Sequence, residues 1–209
     1  KIITMLDKIG KADCRIKAVN TVLRHENGIL EGKNTDGYGF IQNLKYCFPN
    51  LDPWKDPVTL IGAGGASRAI IAGLAKEHAK KITIINRTEQ KAKELTSFCN
   101  ELGLASDIVP IQDVEKLSDC YDFIINASSL GLKNESNIIP TKIINAETVV
   151  YDIVYKPVNT ELIKDAKKKN AQIIYGYEML LGQATRTFEI WLNQKAPYEA
   201  MKKSILGGF

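Results

Sequence analysis

No part of the chain restricts its fold as much as the run from Val58 to Leu74, V-T-L-I-G-A-G-G-A-S-R-A-I-I-A-G-L. Val58 to Ile61 reads as a buried strand that passes through a glycine turn into a helix starting near Ala66. Gly62 permits the tight turn and Gly64 lets the backbone approach a diphosphate. Ser67 stands where a third glycine would sit and is small enough for helix and strand to pack closely. The N–H groups of the turn, Gly62, Ala63, Gly64, Gly65 and Ala66, face outward at the positive end of the helix dipole, which makes an anion site. Any strand-turn-helix favours glycine, so this run needs support from the sequence that follows it.

That support begins with alternation. Lys81 to Asn86 is a near-continuous apolar strand, and Thr88 to Leu102 is a charged helix with Ala92, Leu95 and Phe98 on one face. Asp107 to Ile111, Asp122 to Asn126, Thr148 to Val154 and Gln172 to Tyr175 read as further strands, with Val114 to Leu117 a helical turn and Glu161 to Asn170 a lysine-rich helix. Apolar strands alternating with helices predict an α/β fold, a Rossmann-like doubly wound parallel sheet covered on both faces. Ahead of it, residues 1–15 carry apolar side chains at helical spacing and are expected to form one helix. Ala18 to His25 and Ile29 to Lys33 are expected to form a hairpin about Asn27-Gly28, and Tyr38 to Tyr46 a short helix. The Pro- and Asn-rich run Phe48 to Pro53 marks a boundary. The expected organisation is an incomplete N-terminal α/β substrate domain over residues 1–50, a cofactor domain over 51–176, and C-terminal helices over 177–209 that pack back on the first.

Composition excludes several classes. Of 209 residues, 28 are Lys or Arg and 24 Asp or Glu, and the net charge of +4 comes from lysines spread over the whole chain rather than from a nucleic-acid stripe. Cys14, Cys47, Cys99 and Cys120 lie far apart with only His25 and His78 as further ligands, so no metal is expected and the thiols suit a reducing cytosol. No apolar run approaches membrane-spanning length. The expectation is a cytoplasmic protein without nucleic-acid or membrane partners; a homodimer is compatible with it.

The second strand of such a fold selects the cofactor, with an acidic tip for a ribose hydroxyl and arginine for a 2′-phosphate. Here the strand ends Asn86-Arg87-Thr88, with Lys91 one helical turn beyond Arg87 and no acidic residue at the tip. Arg87 can pair with the phosphate and stack on adenine, and Thr88 can donate a hydroxyl. The cofactor expected is NADP. Arg68, just after the glycine turn, could add charge.

With A-V-N-T-V, N-T-D-G-Y-G-F, I-G-A-G-G-A-S-R-A, N-R-T, I-N-A-S-S-L-G, Y-D-I-V-Y-K-P and G-Y-E-M-L-L-G-Q-A in this order and at this spacing, the chain resembles the shikimate dehydrogenases over essentially its whole length. The resemblance implies NADPH-dependent reduction of the ketone of 3-dehydroshikimate to shikimate, a step of aromatic amino-acid biosynthesis. It makes Asp36 the catalytic aspartate and Asn20 and Gln183 substrate-binding side chains, with Tyr155 near the substrate carboxylate. It places Asn126, Ala127 and Ser128 beside the cofactor's ribose and diphosphate, with Ile153 and Gly176 along the nicotinamide. Ser129 and Leu130 are expected to pack the loop. Without the resemblance, Asp36 is equally readable as a helix-capping residue and Asn20 as a strand-edge residue.

The family's catalytic lysine lies in a motif N-V-T-x-P-x-K that falls, counting back from Asn20, just before Lys1. Lys1 itself is out of register, and Lys17 takes a position where the family usually has glycine. The resemblance therefore predicts that the 209-residue polypeptide binds NADP with little or no turnover. Two other readings keep the same residues: a quinate/shikimate dehydrogenase using NAD or NADP, against which Arg87 argues for NAD, and a non-catalytic NADP-binding module, against which Asn20, Asp36 and Gln183 argue.

Overall fold

The computed structural model describes residues 2–49, 58–118, 121–133 and 135–208. Six parallel strands make the main sheet: β4 (Val58–Ile61), β5 (Lys81–Asn86), β6 (Ala105–Pro110), β7 (Phe123–Asn126), β8 (Val149–Asp152) and β9 (Gln172–Tyr175). Their order across the sheet is β6-β5-β4-β7-β8-β9, so the chain reverses direction of travel between β4 and β7. A crevice opens beyond the carboxyl ends of the strands at such a reversal, and the glycine turn stands at its edge.

Helices α3 (Gly65–Lys76), α4 (Glu89–Glu101) and α5 (Glu161–Lys168) connect the strands. One face of the sheet packs Leu60, Ile82, Ile84, Phe123 and Ile125 against α3 and α4; the other packs Ile61, Ile85, Ile124 and Val150 against α5. All four residues of β4, β7 and β8 are buried, which is why these strands read as mainly apolar, with Thr59, Asn126 and Asp152 as their buried polar residues.

The smaller sheet has order β1-β3-β2, formed by β1 (Lys8–Ile9), β2 (Thr21–Arg24) and β3 (Leu30–Lys33), with α1 (Lys11–Ile16) between the first two strands. The hairpin of β2 and β3 turns at Gly28, whose φ of +85° explains the glycine. The first fifteen residues are not one helix. Ile2–Met5 is a single 3₁₀ turn, and Lys8–Ile9 is a strand parallel to β3. The helical spacing of Ile2, Leu6 and Ile9 is overridden because β3 offers an unpaired edge and Asp7 accepts a bond from the Leu30 N–H through its carboxylate. The part of the early helix expectation that falls on Lys1, the boundary at residues 50–53 and the Cys120 thiol lie outside the described residues. Cys14, Cys47 and Cys99 are free thiols.

Between the two sheets runs α2 (Asp36–Cys47), gripped by α3 on one side and by α6 (Gly176–Leu192) on the other; α7 (Tyr198–Leu206) follows α6. The grip is backbone to backbone. A Cβ on Gly37 would lie 2.5 Å from the Ala69 carbonyl oxygen, and one on Gly182 2.9 Å from the Gly39 Cα. Phe40 on α2 stacks on Tyr151 of β8 with centroids 4.7 Å apart, so the helix is keyed into the main core as well.

Candidate active site

The glycine turn is built as an open cradle. Gly62 has φ of +105° and would press a Cβ to 2.8 Å from the Ala127 carbonyl oxygen, so only glycine fits there. Gly64 has no protein atom within 4 Å of where its Cβ would be, and that free space belongs to whatever the turn binds. Ser67 is fully buried; its hydroxyl accepts the Gly64 N–H at 3.2 Å and donates to the Ala127 carbonyl at 3.4 Å. The serine that replaces the third glycine thus locks the turn to the loop after β7.

Beside the turn lies a cavity of about 300 Å³, lined by Gly62, Ala63 and Gly64, by Asn86, Arg87, Thr88 and Lys91, and by Ala127 and Ser128. No acidic residue lines it, and among the described residues neither Arg87 nor Lys91 forms an ion pair. A groove with a bare glycine backbone at one end and two uncommitted cations at the other fits a dinucleotide carrying an extra phosphate. Ser129 and Leu130 also line it, as do Ile111 and Ile138, so these residues do more than pack the loop. Ile111 comes from the connection after β6 and the other three from the connection after β7, so their meeting at the groove was invisible in the sequence.

Gly65 and Ala66 continue into α3 behind the cradle, and a Cβ on Gly65 would lie 3.1 Å from the Ala18 methyl group. Asn126 is buried beneath the groove rather than in it. Its amide donates to Asp152 at 2.9 Å and to the Leu130 carbonyl at 3.0 Å, and its oxygen accepts from the Ser128 hydroxyl at 2.6 Å. Ile153 and Gly176 stand together at the ends of β8 and β9, where a Cβ on Gly176 would collide with the Ile153 carbonyl. Arg68 does not reach the groove. Its guanidinium turns back to the end of α1, donating to the carbonyls of Ile16 at 2.7 Å and Arg15 at 2.8 Å, and stacks 4.0 Å above the Phe98 ring. Unsatisfied helix-end carbonyls are strong acceptors for a cation.

The second cluster forms where the hairpin returns. Asn20, ahead of β2, donates to the Asp36 carboxylate at 2.8 Å and to the Thr35 hydroxyl at 3.1 Å, while its carbonyl oxygen accepts the Thr35 N–H at 3.0 Å. Thr35 also donates to the Gln183 side chain at 3.3 Å and shares a 3.1 Å bond with Thr187, one helical turn further along α6. Asn34 accepts the Asp36 N–H and ties back to the Ala18 carbonyl. Asn20, Asp36 and Gln183 are therefore one assembly, with Thr35 as its hub; the hub lay inside the N-T-D-G motif, and its partner Thr187 carried no signal of its own. Burial pushes the Asp36 carboxyl above its ordinary value, against the bonds from Asn20 and Asn34. Tyr155 lies on the segment after β8 and is 45% exposed.

The two clusters adjoin each other. A Cβ on Gly65 of the cradle would lie 3.1 Å from the methyl group of Ala18, two residues from Asn20, and one on Gly37, next to Asp36, would lie 2.5 Å from the Ala69 carbonyl oxygen on the cradle's own helix. An anion cradle at the reversal point of a doubly wound parallel sheet, faced by an amide–carboxylate cluster, places the chain in the Rossmann-like class. Residues 47–154 match the family model for shikimate / quinate 5-dehydrogenase, and residues 176–206 match that for the shikimate 5′-dehydrogenase C-terminal domain. The chain belongs to the shikimate dehydrogenase family.

It is 52% identical over 204 residues to the shikimate dehydrogenase (NADP(+)) of Nitrosopumilus maritimus, covering 98% of this chain and 74% of that protein. Among solved structures it is similar to shikimate 5-dehydrogenase of Listeria monocytogenes in complex with shikimate and NAD, with TM-score 0.87 and 30% identity over 98% of this chain and 73% of that one. It is also similar to the Thermus thermophilus enzyme in complex with NADP(H) and shikimate, with TM-score 0.80 and 31% identity over 99% of this chain and 74% of that one.

Proposed function

We propose that this protein reduces 3-dehydroshikimate to shikimate with NADPH, as an oxidoreductase of aromatic amino-acid biosynthesis. The observation that carries the reading is the meeting of Asn20, Asp36 and Gln183 through Thr35, against the helix that bears the glycine cradle. A pure cofactor-binding module would have no use for it.

NADPH, when bound, supplies a hydride to the ketone carbon. The turn holds the diphosphate on the N–H groups of Ala63, Gly65 and Ala66, since the Gly62 N–H is taken by the Ile85 carbonyl and the Gly64 N–H by the Ser67 hydroxyl. Arg87, Thr88 and Lys91 take the 2′-phosphate, and Asn86 shapes that end by donating to the Thr88 carbonyl at 2.8 Å. Ala127 and Ser128 border the ribose and diphosphate, and Ile153 and the Gly176 backbone flank the nicotinamide. Asn20 and Gln183 hold substrate hydroxyls, and Tyr155 stands at the carboxylate side. As the ketone oxygen gains negative charge it needs a cation and a proton nearby. Asp36 stands where it would hold in place a lysine of the family's N-V-T-x-P-x-K motif, a motif that the 209 residues do not contain, and would favour that lysine's charged form.

Residues 1–50 serve the substrate and 51–176 the cofactor, while 177–209 join the substrate side through the bond between Thr21 and Thr187. The setting is cytoplasmic, the ligands are small molecules, and a homodimer is compatible with the reading. The reading is tested by following NADPH oxidation with 3-dehydroshikimate in a protein that carries an N-V-T-x-P-x-K segment ahead of residue 1, where turnover supports it and its absence overturns it. Arg87→Ala is expected to weaken NADP⁺ binding by about tenfold or more and leave NAD⁺ binding unchanged.

A further inference from the structure

Asp152 is a buried carboxylate with no part in the chemistry just described. It ends β8, between Asn126 at the end of β7 and Tyr175 at the end of β9 in the sheet register. Its side chain is fully buried, and the partners that surround it are neutral donors. One oxygen accepts from the Asn126 amide at 2.9 Å and from the Val154 N–H at 3.0 Å, and the other accepts from the Thr160 hydroxyl at 2.6 Å. Burying a carboxylate is expensive, and three hydrogen-bond donors offset that cost here.

Each donor belongs to a different segment around the cofactor groove. Asn126, oriented by Asp152, holds the Leu130 carbonyl and the Ser128 hydroxyl and N–H, and the Ser128 hydroxyl in turn accepts the Leu130 N–H at 3.1 Å. Ser128 and Leu130 are walls of the groove. Val154 fixes the turn that carries Ile153. Thr160 caps α5 by accepting the Ile163 N–H, and its methyl group sits where Gly131 leaves room, at φ of +98°.

We propose that Asp152 is a positioning residue for cofactor binding: through Asn126 it sets the wall formed by Ser128 and Leu130, and through Val154 the turn that carries Ile153. This rests on the groove being the NADP site. It implies an asymmetry along the groove. The diphosphate and nicotinamide end depends on Asp152, whereas the 2′-phosphate end, built by Arg87, Thr88 and Lys91 from β5 and α4, does not. Asn is the informative replacement. Its oxygen can still accept from Asn126 and Val154, but its NH₂ faces the Thr160 hydroxyl and removes that acceptor, so the network loosens without leaving a hole.

The experiment measures binding of NADP⁺ and of adenosine 2′-monophosphate to the unaltered protein, Asp152→Asn, Ser128→Ala and the double variant. Asp152→Asn is expected to weaken NADP⁺ by about tenfold while adenosine 2′-monophosphate stays within about twofold. The double variant is expected to fall well short of the product of the two single losses, because both act through Asn126. Equal loss of both ligands, no loss of NADP⁺, or fully multiplicative losses would each overturn the proposal. Binding of neither ligand to the unaltered protein would instead overturn the reading of the groove itself. Should Asp152→Asn fail to fold, Thr160→Val removes one of the donors that hold Asp152 and decides the matter: loss of NADP⁺ with adenosine 2′-monophosphate spared supports the proposal, and unchanged NADP⁺ binding or equal loss of both overturns it.

Discussion

The cradle and the cluster that faces it are made of different materials. At the cradle, recognition rests on backbone and on space: Gly64 opens onto the groove, Gly62 could be nothing else, and the cations at the far end are uncommitted. At the cluster, recognition rests on side chains already tied to one another, with Thr35 bonded to Asn20 ahead of β2 and to Gln183 and Thr187 on α6. The first is a local structure that a short sequence can specify. The second exists only if α2 and α6 cross at the right height. Damage to the cluster should therefore pass through packing, whereas damage to the cradle should leave the fold intact.

Asp36→Asn tests the cluster most severely. Loss of the carboxylate is expected to lower turnover by about 100-fold or more, measured as NADPH oxidation at saturating substrate. The same change should raise stability at neutral pH. Burial holds the folded-state value of Asp36 above the unfolded value of 3.8, so its contribution to stability is fully present below 3.8 and is lost as pH rises through the folded value. Thermal midpoints of the Asn variant and the unaltered protein should differ at pH 7, with the variant higher, and converge toward pH 3.8. A variant that is both slower and less stable at pH 7 would mean that Asp36 is a structural cap rather than a functional group held at a cost.

A pair of glycine substitutions separates the two materials. A Cβ on Gly39 would collide with the Gln183 backbone, and α6 could yield only by moving away from α2. Gly39→Ala is expected to cost about 1–3 kcal/mol and to raise the KM for the ketone while the Kd for NADP⁺ holds. Gly64→Ala meets no protein atom and φ at Gly64 is −98°, so denaturation should hardly change, whereas NADP⁺ binding should weaken by about tenfold as the methyl group enters the groove. Parallel losses of stability and binding in both variants would erase the distinction.

How much of this was legible follows from the same distinction. The strand Val58–Ile61, the cradle, the Arg87 tip and the Rossmann-like order are contiguous in sequence and were readable there. The approach of Asn20 to Asp36 was readable too, since a hairpin about Asn27-Gly28 returns one to the other. What escaped is whatever a distant partner decides. Asn126 sits in the right loop, but Asp152, 26 residues on, turns its amide inward. Arg68 follows the turn as a cofactor-binding cation would, yet the carbonyls ending α1 claim it. Lys8–Ile9 carried a helical spacing and became a strand because the edge of β3 was open. In each case a local preference worth a few tenths of a kcal/mol per residue lost to a specific hydrogen-bonded partner.

Lys17 joins the two regions and offers the finest test. It ends α1 with φ of +56°, and the carbonyls just before it are those that Arg68 of the cradle helix binds. A left-handed conformation costs a side-chain-bearing residue about 1 kcal/mol, so Lys17 strains the backbone at a position where glycine would not. His78, Asn170 and Asn193 close α3, α5 and α6 in the same conformation, and asparagine tolerates it better than lysine does. Replacing Lys17 by Gly removes the strain but gives the unfolded chain more freedom, so the net gain should be about 0.5 kcal/mol. In a chain of this length that is about 1–2 °C in thermal midpoint. Asn170→Gly, where there is less strain to relieve, should give no gain. Both variants should bind NADP⁺ as before, because Arg68 keeps its carbonyl acceptors whichever residue follows them. A change in NADP⁺ affinity on Lys17→Gly would show that the strain at the end of α1 is transmitted through Arg68 into the cradle, and that the two regions are less separable than their materials suggest.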